Sequence, residues 1–333
     1  MYADVLRKLA DQRILVLDGA MGTRLQQYGL EEEDFRGLYF KNSKVTLKGV
    51  YDVLSLTQPD LITEVHRAYL DAGADLIETN TFNASSVSMK DYQLQDFCWN
   101  MNFKAAQLAR NVADEYTRNN PSKPRLVLGS VGPTNKICSP LSSSDFPFIY
   151  QVSYAELFQA YSEQIEALLR GGVDAILIET IYNLFNAQVA VEAAEKRKTE
   201  LGLNVPVMLS ATLSREGCFA SGEPLEQLVE LAEAYGAFSV GLNCCMGAYE
   251  MKPFLLRLSR LATNFYISVH PNAGLPDELG NYMQKPESMV RIIEEFIDER
   301  SVNIVGGCCG TNEDYIRLLN QMVVDKTPRD VFI

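Results

Sequence analysis

The sequence predicts an α/β fold made of one (β/α)8 TIM barrel, and three observations predict it. Apolar, β-branched runs recur eight times along 333 residues, roughly 40 residues apart. Helix-period amphipathic stretches separate them. The third observation is an absence: an open doubly wound sheet carries a glycine-rich nucleotide loop after an early strand, and Asp18-Gly19-Ala20-Met21-Gly22 is not G-x-G-x-x-G.

In chain order, residues 14–18 (ILVLD) are the first strand, followed by an insertion over 26–57. An amphipathic helix over 61–72 leads to the strand 74–79 (ADLIET), and a second over 102–118 leads to the strand 125–131 (RLVLGSV). A Ser- and Pro-rich insertion at 137–151 precedes the helix 154–170 and the strand 174–180 (DAILIET). Strands at 206–212 (PVMLSAT), 238–243 (FSVGLN) and 265–270 (FYISVH) come next, then a helix at 289–299 and the strand 302–307 (VNIVGG). The runs are almost continuously hydrophobic, as strands covered on both faces must be. We expect one domain over 1–326, with 327–333 as a C-terminal tail or the start of a linker.

Composition narrows the function. With 30 Lys+Arg against 43 Asp+Glu, the net charge of −13 repels phosphate backbones and anionic membrane surfaces, which excludes nucleic acid as a partner class. No run approaches the ~18 apolar residues of a membrane span, and the charged start lacks a secretion signal, so a cytoplasmic protein is expected. The seven cysteines include two adjacent pairs, Cys244-Cys245 and Cys308-Cys309. Adjacent cysteines make poor structural disulfides, and in a reducing compartment they point to metal or thiol chemistry.

Barrel active sites gather at the C-terminal ends of the strands. Those ends carry Asp18 with the turn Gly19-Ala20-Met21, Glu78-Thr79-Asn80, Glu179-Thr180, Asn243-Cys244-Cys245, His270-Pro271-Asn272 and Gly306-Gly307-Cys308-Cys309. Cysteines from two strand ends can converge, and soft thiolates select zinc, which takes four tetrahedral ligands. Three protein ligands leave one corner open. Spacing does not say whether Cys244 or Cys245 takes part, and buried apolar cysteines are the competing reading. Cys98, Cys138 and Cys218 read as bystanders. A zinc already holding three thiolates is a poor electrophile, but it can bind a further thiol and strip its proton, since a coordinating thiol is deprotonated outright. That chemistry favours thiolate attack on an electrophilic carbon over hydrolysis.

The segments LDGAMGTRLQQYGLEEEDFRG (from Leu17), AGADLIETNTFN (from Ala72), ILIETIYN (from Ile176), GLNCC (from Gly241), HPNAGLP (from His270) and NIVGGCCGT (from Asn303) resemble the homocysteine-binding module of cobalamin-dependent methionine synthases. The likeness runs in order over essentially the whole chain. GxNC with GGCCG marks the wider homocysteine S-methyltransferase family, whose members also use betaine or S-methylmethionine. EEDFRG with LKG (47–49), and HPNAGLP, resemble the cobalamin-dependent branch in particular.

The resemblance implies a barrel that binds Zn2+ through Cys244, Cys308 and Cys309, with homocysteine's thiolate at the fourth position attacking a methyl group. It leaves Cys245 without a role. It also implies that Asp18 and Glu179 take the substrate ammonium, while Gly19-Ala20-Met21 turns backbone N–H groups toward its carboxylate. Asn272 is nominated to hold the fourth zinc position when substrate is absent. No D-x-H-x-x-G sequence exists here to ligate a corrin, so methylcobalamin, the implied methyl donor, would sit on another module or a separate corrinoid protein.

Competing readings remain at each point. Asp18 can be a helix N-cap, Glu179 a structural ion pair, and Asn272 a loop-capping amide. Glu78, Thr79 and Asn80 support the site or cap turns. His270 opens a loop and either orients a ligand or is a satisfied buried histidine, while His66 and Trp99 serve packing. For the whole protein, the alternatives are a sulfonium-dependent homocysteine methyltransferase, a non-catalytic zinc or thiol scaffold, and a phosphate barrel using Gly306-Gly307.

Overall fold

The computed structural model describes residues 2–138 and 152–332. Most of the insertion expected at 137–151 therefore lies outside the described residues. Eight parallel strands form one sheet: β1 Leu15–Val16, β2 Leu76–Glu78, β3 Leu126–Val131, β4 Ala175–Ile181, β5 Val207–Ala211, β6 Ser239–Gly247, β7 Tyr266–Asn272 and β8 Ile304–Val305. Their order is β1-β8-β7-β6-β5-β4-β3-β2. The seam between β1 and β2 is bridged at Leu17 and Leu76, where the Asp18 N–H donates to the Leu76 carbonyl at 3.0 Å. The expected (β/α)8 barrel is what the chain forms.

Helices Pro59–Asp71, Cys98–Asn119, Tyr154–Gly171, Leu184–Leu201, Glu226–Tyr235, Ala248–Leu261, Pro286–Asp298 and Glu313–Met322 cover the outside. None is long and apolar enough to cross a membrane, among the described residues. Boundaries moved at three places. β1 and β8 keep two ladder residues each, although hydrogen bonds from Gly306 to Val269 and from Gly307 to Asp18 carry the chain on in extended form. β6 runs through Cys244 and Cys245 to Gly247 by way of a bulge, where the strand was expected to end at Asn243. His270 lies inside β7 instead of opening a loop.

Side-chain parity decides what faces the barrel axis, since successive residues of a strand point to opposite sides. Val16, Val127, Ile176 and Ile178 pack outward under the helices. Leu15, Leu17, Leu76, Leu126, Leu128, Ala175, Leu177, Met208 and Tyr266 fill the lower interior, closed below by Leu6 and Ala10 of the helix Tyr2–Gln12. Further along the same inward parity stand Glu78, Ser130, Glu179, Ser210 and, beyond Ser268, His270. The apolar plug therefore ends where a polar layer begins.

The insertion at 26–57 is knit by its own side chains. The Glu32 carboxylate accepts the N–H groups of Leu47 and Lys48 at 3.0 and 2.7 Å, and the Arg36 guanidinium reaches the Ser43 and Val45 carbonyls at 2.6 and 3.2 Å. EEDFRG and LKG thus form one unit, which carries Tyr51 and Asp52 to the barrel mouth. At the opposite end of the chain, the Arg329 guanidinium donates to the carbonyls of Phe265, Ser259 and Ala262 at 2.8 to 2.9 Å.

Candidate functional site

A cavity of about 950 Å³ opens at the C-terminal end of the barrel. Asp18, Gly19, Ala20, Met21, Glu78, Glu179, Cys244, His270, Cys308 and Cys309 all line it. Two clusters organise this wall, one of sulfur and one of carboxyl groups.

The sulfurs of Cys244, Cys308 and Cys309 lie within 4.8 Å of one another, with Cys244 and Cys309 3.9 Å apart. β8 delivers Cys308 and Cys309 through the turn at Gly310, whose φ of 83° suits glycine and where a Cβ would overlap Tyr282. The Cys308 N–H donates to the Pro271 carbonyl and the Ala273 N–H to the Cys309 carbonyl, both at 2.8 Å, tying this turn to the end of β7. Cys244 arrives from β6 with a φ of 59°. Its left-handed backbone breaks the strand's alternation and sets its sulfur toward Cys309. Cys245, at φ 55°, is exposed and does not line the cavity.

The three thiols cannot all ionise unaided. Hydrogen bonds from Cys244 and Cys308 hold Cys309 down to about 3. Cys244 is pushed far up by its hydrogen bonds with Cys245, Cys308 and Cys309 and by burial. For Cys308 the Cys244 hydrogen bond lowers the pKa, but Cys309 and burial outweigh it and push the thiol well up. A cation held between the three sulfurs would favour their thiolate forms, since coordination displaces the thiol proton. A tetrahedral zinc with bonds of ~2.3 Å sets its sulfurs ~3.8 Å apart, and the 3.9 Å separation matches that edge. The residues present fit the metal.

The second cluster lies beside the first. Ligand atoms of Glu78, Glu179 and His270 fall within 4.8 Å of one another. Glu179 accepts the Ser130 hydroxyl at 2.5 Å and stands 3.5 Å from the Asn243 amide nitrogen. Asp18 accepts the Glu78 N–H at 3.0 Å through Oδ2, while its buried Oδ1 has no partner. Burial raises Glu179 to about 7 and Asp18 well above its ordinary range, the latter with help from the Glu179 charge. Glu78 rises for the same reasons, burial first and then Glu179 and Asp18. Two buried carboxyl groups, Asp18 and Glu179, stand beside the half-buried Glu78 with one unpartnered oxygen, an arrangement whose chemistry suits a cation.

His270 is neutral, lowered to about 3 by burial. The one proton of Ser210 goes to Asn243 Oδ1 at 2.7 Å, so at 3.2 Å His270 Nε2 must be the donor to Ser210. Its bare Nδ1 then faces Glu78 at 3.9 Å.

The remaining candidates sort as follows. Asp18 is no helix cap: Ala20 precedes the helix Met21–Gln26, and the Asp18 carboxyl turns to β2 instead. Ala20 donates its N–H to Thr311 Oγ1 at 3.2 Å. Asn272 ends β7 with a buried Oδ1 lacking a partner, outside the cavity lining. His66 is packing: fully buried on its helix, with neither ring nitrogen bonded and its pKa lowered to about 4 by burial. Cys98 and Cys138 are buried away from the site. Sequence reasoning missed Ser130, Ser210 and Tyr282, and placed Asn243 at a strand end without giving it a role. Inward parity along β3 and β5 was the signal for the two serines.

Against known proteins, the model of the family described as homocysteine S-methyltransferase matches residues 15–323. Among solved structures, the Escherichia coli homocysteine methyltransferase MmuM superposes in its oxidized form with a TM-score of 0.71 and 26% identity, over 95% of this chain and 98% of that one. Its metallated form gives 0.71 and 25%, over 96% and 99%. The cysteine and carboxyl clusters sit inside the matched span, and the chain belongs to the homocysteine S-methyltransferase family.

Proposed function

We propose that the chain transfers a methyl group to the sulfur of homocysteine in a zinc-dependent reaction, giving methionine. The observation that carries this reading is the pairing, in one cavity, of a three-sulfur cluster with a buried carboxyl cluster. Cys244, Cys308 and Cys309 would hold the metal. Bound there, zinc would hold the incoming substrate sulfur as its thiolate at neutral pH. Glu179 and Asp18 receive the ammonium, whose charge makes up for the cost of ionising them in a buried place. The turn Gly19-Ala20-Met21 receives the carboxylate. With both ends held, the sulfur is presented to the methyl carbon, and an S–C bond forms as the methyl leaves its donor.

We assign methylcobalamin, held on another module or a corrinoid protein, as that donor. Two features support this. The knit EEDFRG–LKG unit leads into Tyr51 and Asp52 and HPNAGLP begins at His270, all three lining the cavity, and Leu279 and Met283 stand 86% and 75% exposed beside the cavity-lining Gly280, Asn281 and Tyr282, offering an apolar rim to a bulky donor. The full-length likeness to a single-barrel E. coli enzyme supports a second reading, a stand-alone enzyme using S-methylmethionine or another sulfonium.

X-ray absorption at the zinc edge tests the core of the reading. Sulfur neighbours should rise from three to four when homocysteine is added, and an unchanged count overturns the thiol-binding role. Turnover with S-methylmethionine but not methylcobalamin would select the second donor.

A further inference from the structure

We propose that Asn243 is a positioning residue that locks the carboxyl half of the site to the sulfur half, and so sets the length of the amino-acid thiol accepted. The inference rests on the homocysteine reading and adds a specificity device to it.

Asn243 directly precedes Cys244 on β6, and its fully buried amide reaches across β5 to β4. Oδ1 accepts the Thr180 N–H at 3.0 Å, and Nδ2 donates to Thr180 Oγ1 at 2.8 Å. Ser210 of β5 donates to the same Oδ1 at 2.7 Å, which fills both lone pairs and orients the amide without ambiguity. Nδ2 also faces Glu179 Oε2 at 3.5 Å. One side chain thus touches the residue after Glu179, approaches Glu179 itself, and is bonded through the backbone to Cys244.

The strands it joins are both irregular at this level. The register of β4 shifts between Ile178 and Ile181, and that of β6 shifts between Asn243 and Gly247. Thr180 adopts φ 53°, in the left-handed region that a β-branched residue rarely enters, and Cys244 adopts 59°. Such a backbone persists only when its surroundings over-determine it. The two hydrogen bonds between Asn243 and Thr180, one donated by each, are that determinant on β4. Released, Thr180 relaxes toward extended geometry and turns Glu179 relative to Cys244.

The consequence for ligands follows from chain length. Homocysteine carries its sulfur one methylene further from the ammonium than cysteine does. A rigid separation between the two receptors distinguishes these thiols, and one methylene is worth about 10- to 200-fold.

The test measures zinc content and calorimetric binding of homocysteine and cysteine to the zinc-loaded full chain. It compares wild type, Asn243→Ala, Thr180→Gly and the double variant. Asn243→Ala should keep one zinc yet lose about tenfold or more of the homocysteine-over-cysteine preference. Thr180→Gly in that background should restore part of it, because glycine holds a left-handed φ without a clamp. A preference left unchanged, zinc lost in step with binding, or no rescue by glycine would each overturn the proposal. Should the alanine variant not fold, Asn243→Leu keeps a similar side-chain size and removes both hydrogen bonds to Thr180, with the same shift expected. Wild type that ignores homocysteine sinks the functional reading. A crystal structure of Asn243→Ala retaining positive φ at Thr180 sinks the clamp by itself.

Discussion

At Glu179 the cost of burying a carboxyl group and the proposed binding of an ammonium fall on one side chain. Burial lifts its pKa from 4.5 to about 7, so between those values the folded protein keeps a proton that the unfolded chain releases. Folded-state proton excess means that this contribution to stability falls as pH rises through that window. Asp18 and Glu78 are shifted in the same direction. Replacing Glu179 with Gln fixes the neutral form. The metal-free variant should lose less melting temperature than wild type between about pH 5 and 8. Zinc-loaded Glu179→Gln should bind homocysteine about tenfold or more weakly while keeping its metal, because a charge-assisted hydrogen bond is lost. Equal losses of zinc and homocysteine would move Glu179 to the sulfur cluster.

Among elements, the contact of β6 with β7 controls the site. Gly241 pairs with Ser268 in register, and a Cβ at Gly241 would overlap the Ser268 hydroxyl and carbonyl. Without a side chain, β6 lies close enough to β7 for Asn243 to pair with His270 and for Cys244 to reach Cys309. Gly241→Ala should force the strands apart at an overpacking cost of about 1–3 kcal/mol. We expect a melting temperature lower by on the order of 5 °C, read by circular dichroism, together with weaker zinc retention in a chelator titration. A destabilised variant with undiminished zinc affinity would show that the sulfur cluster does not depend on this approach.

For the whole molecule, the question is whether a metal at the three cysteines would build the fold or be housed by it. The plug of Leu15, Leu17, Leu76, Leu126, Leu128, Leu177 and Met208 and the helix-covered outer core include none of Cys244, Cys308 and Cys309. Chelation should therefore leave far-ultraviolet dichroism intact and lower the melting temperature by on the order of 10 °C, the linkage expected of a ligand that binds the native state alone. Unfolding on chelation would make the cysteines a structural centre and remove the catalytic reading.

Much of the barrel was legible because strand burial and helix amphipathicity are local patterns. Each of the eight predicted runs overlaps an observed strand, and the helices expected at 61–72, 102–118, 154–170 and 289–299 coincide with observed ones to within a few residues. The rim position of Asp18, Glu179, Cys244, Cys308 and Cys309 followed from the same pattern, because strand ends share one face of this fold. Irregular backbone was not legible. His270 looked like a loop residue because proline and glycine follow it, yet ladder bonds to β6 keep it in β7.

The sequence by itself determined the architecture, the family likeness and the side chains that meet at the mouth, all of which depend on residue type and period. Only the tertiary structure decided that Cys244 faces the cavity while Cys245 is exposed, that Asp18 turns to β2, and that Asn243 spans β4 to β6. Those outcomes hang on left-handed backbone and on hydrogen bonds between residues about 60 positions apart. No local pattern encodes such bonds, because their energy exists only once the barrel has brought the strands together.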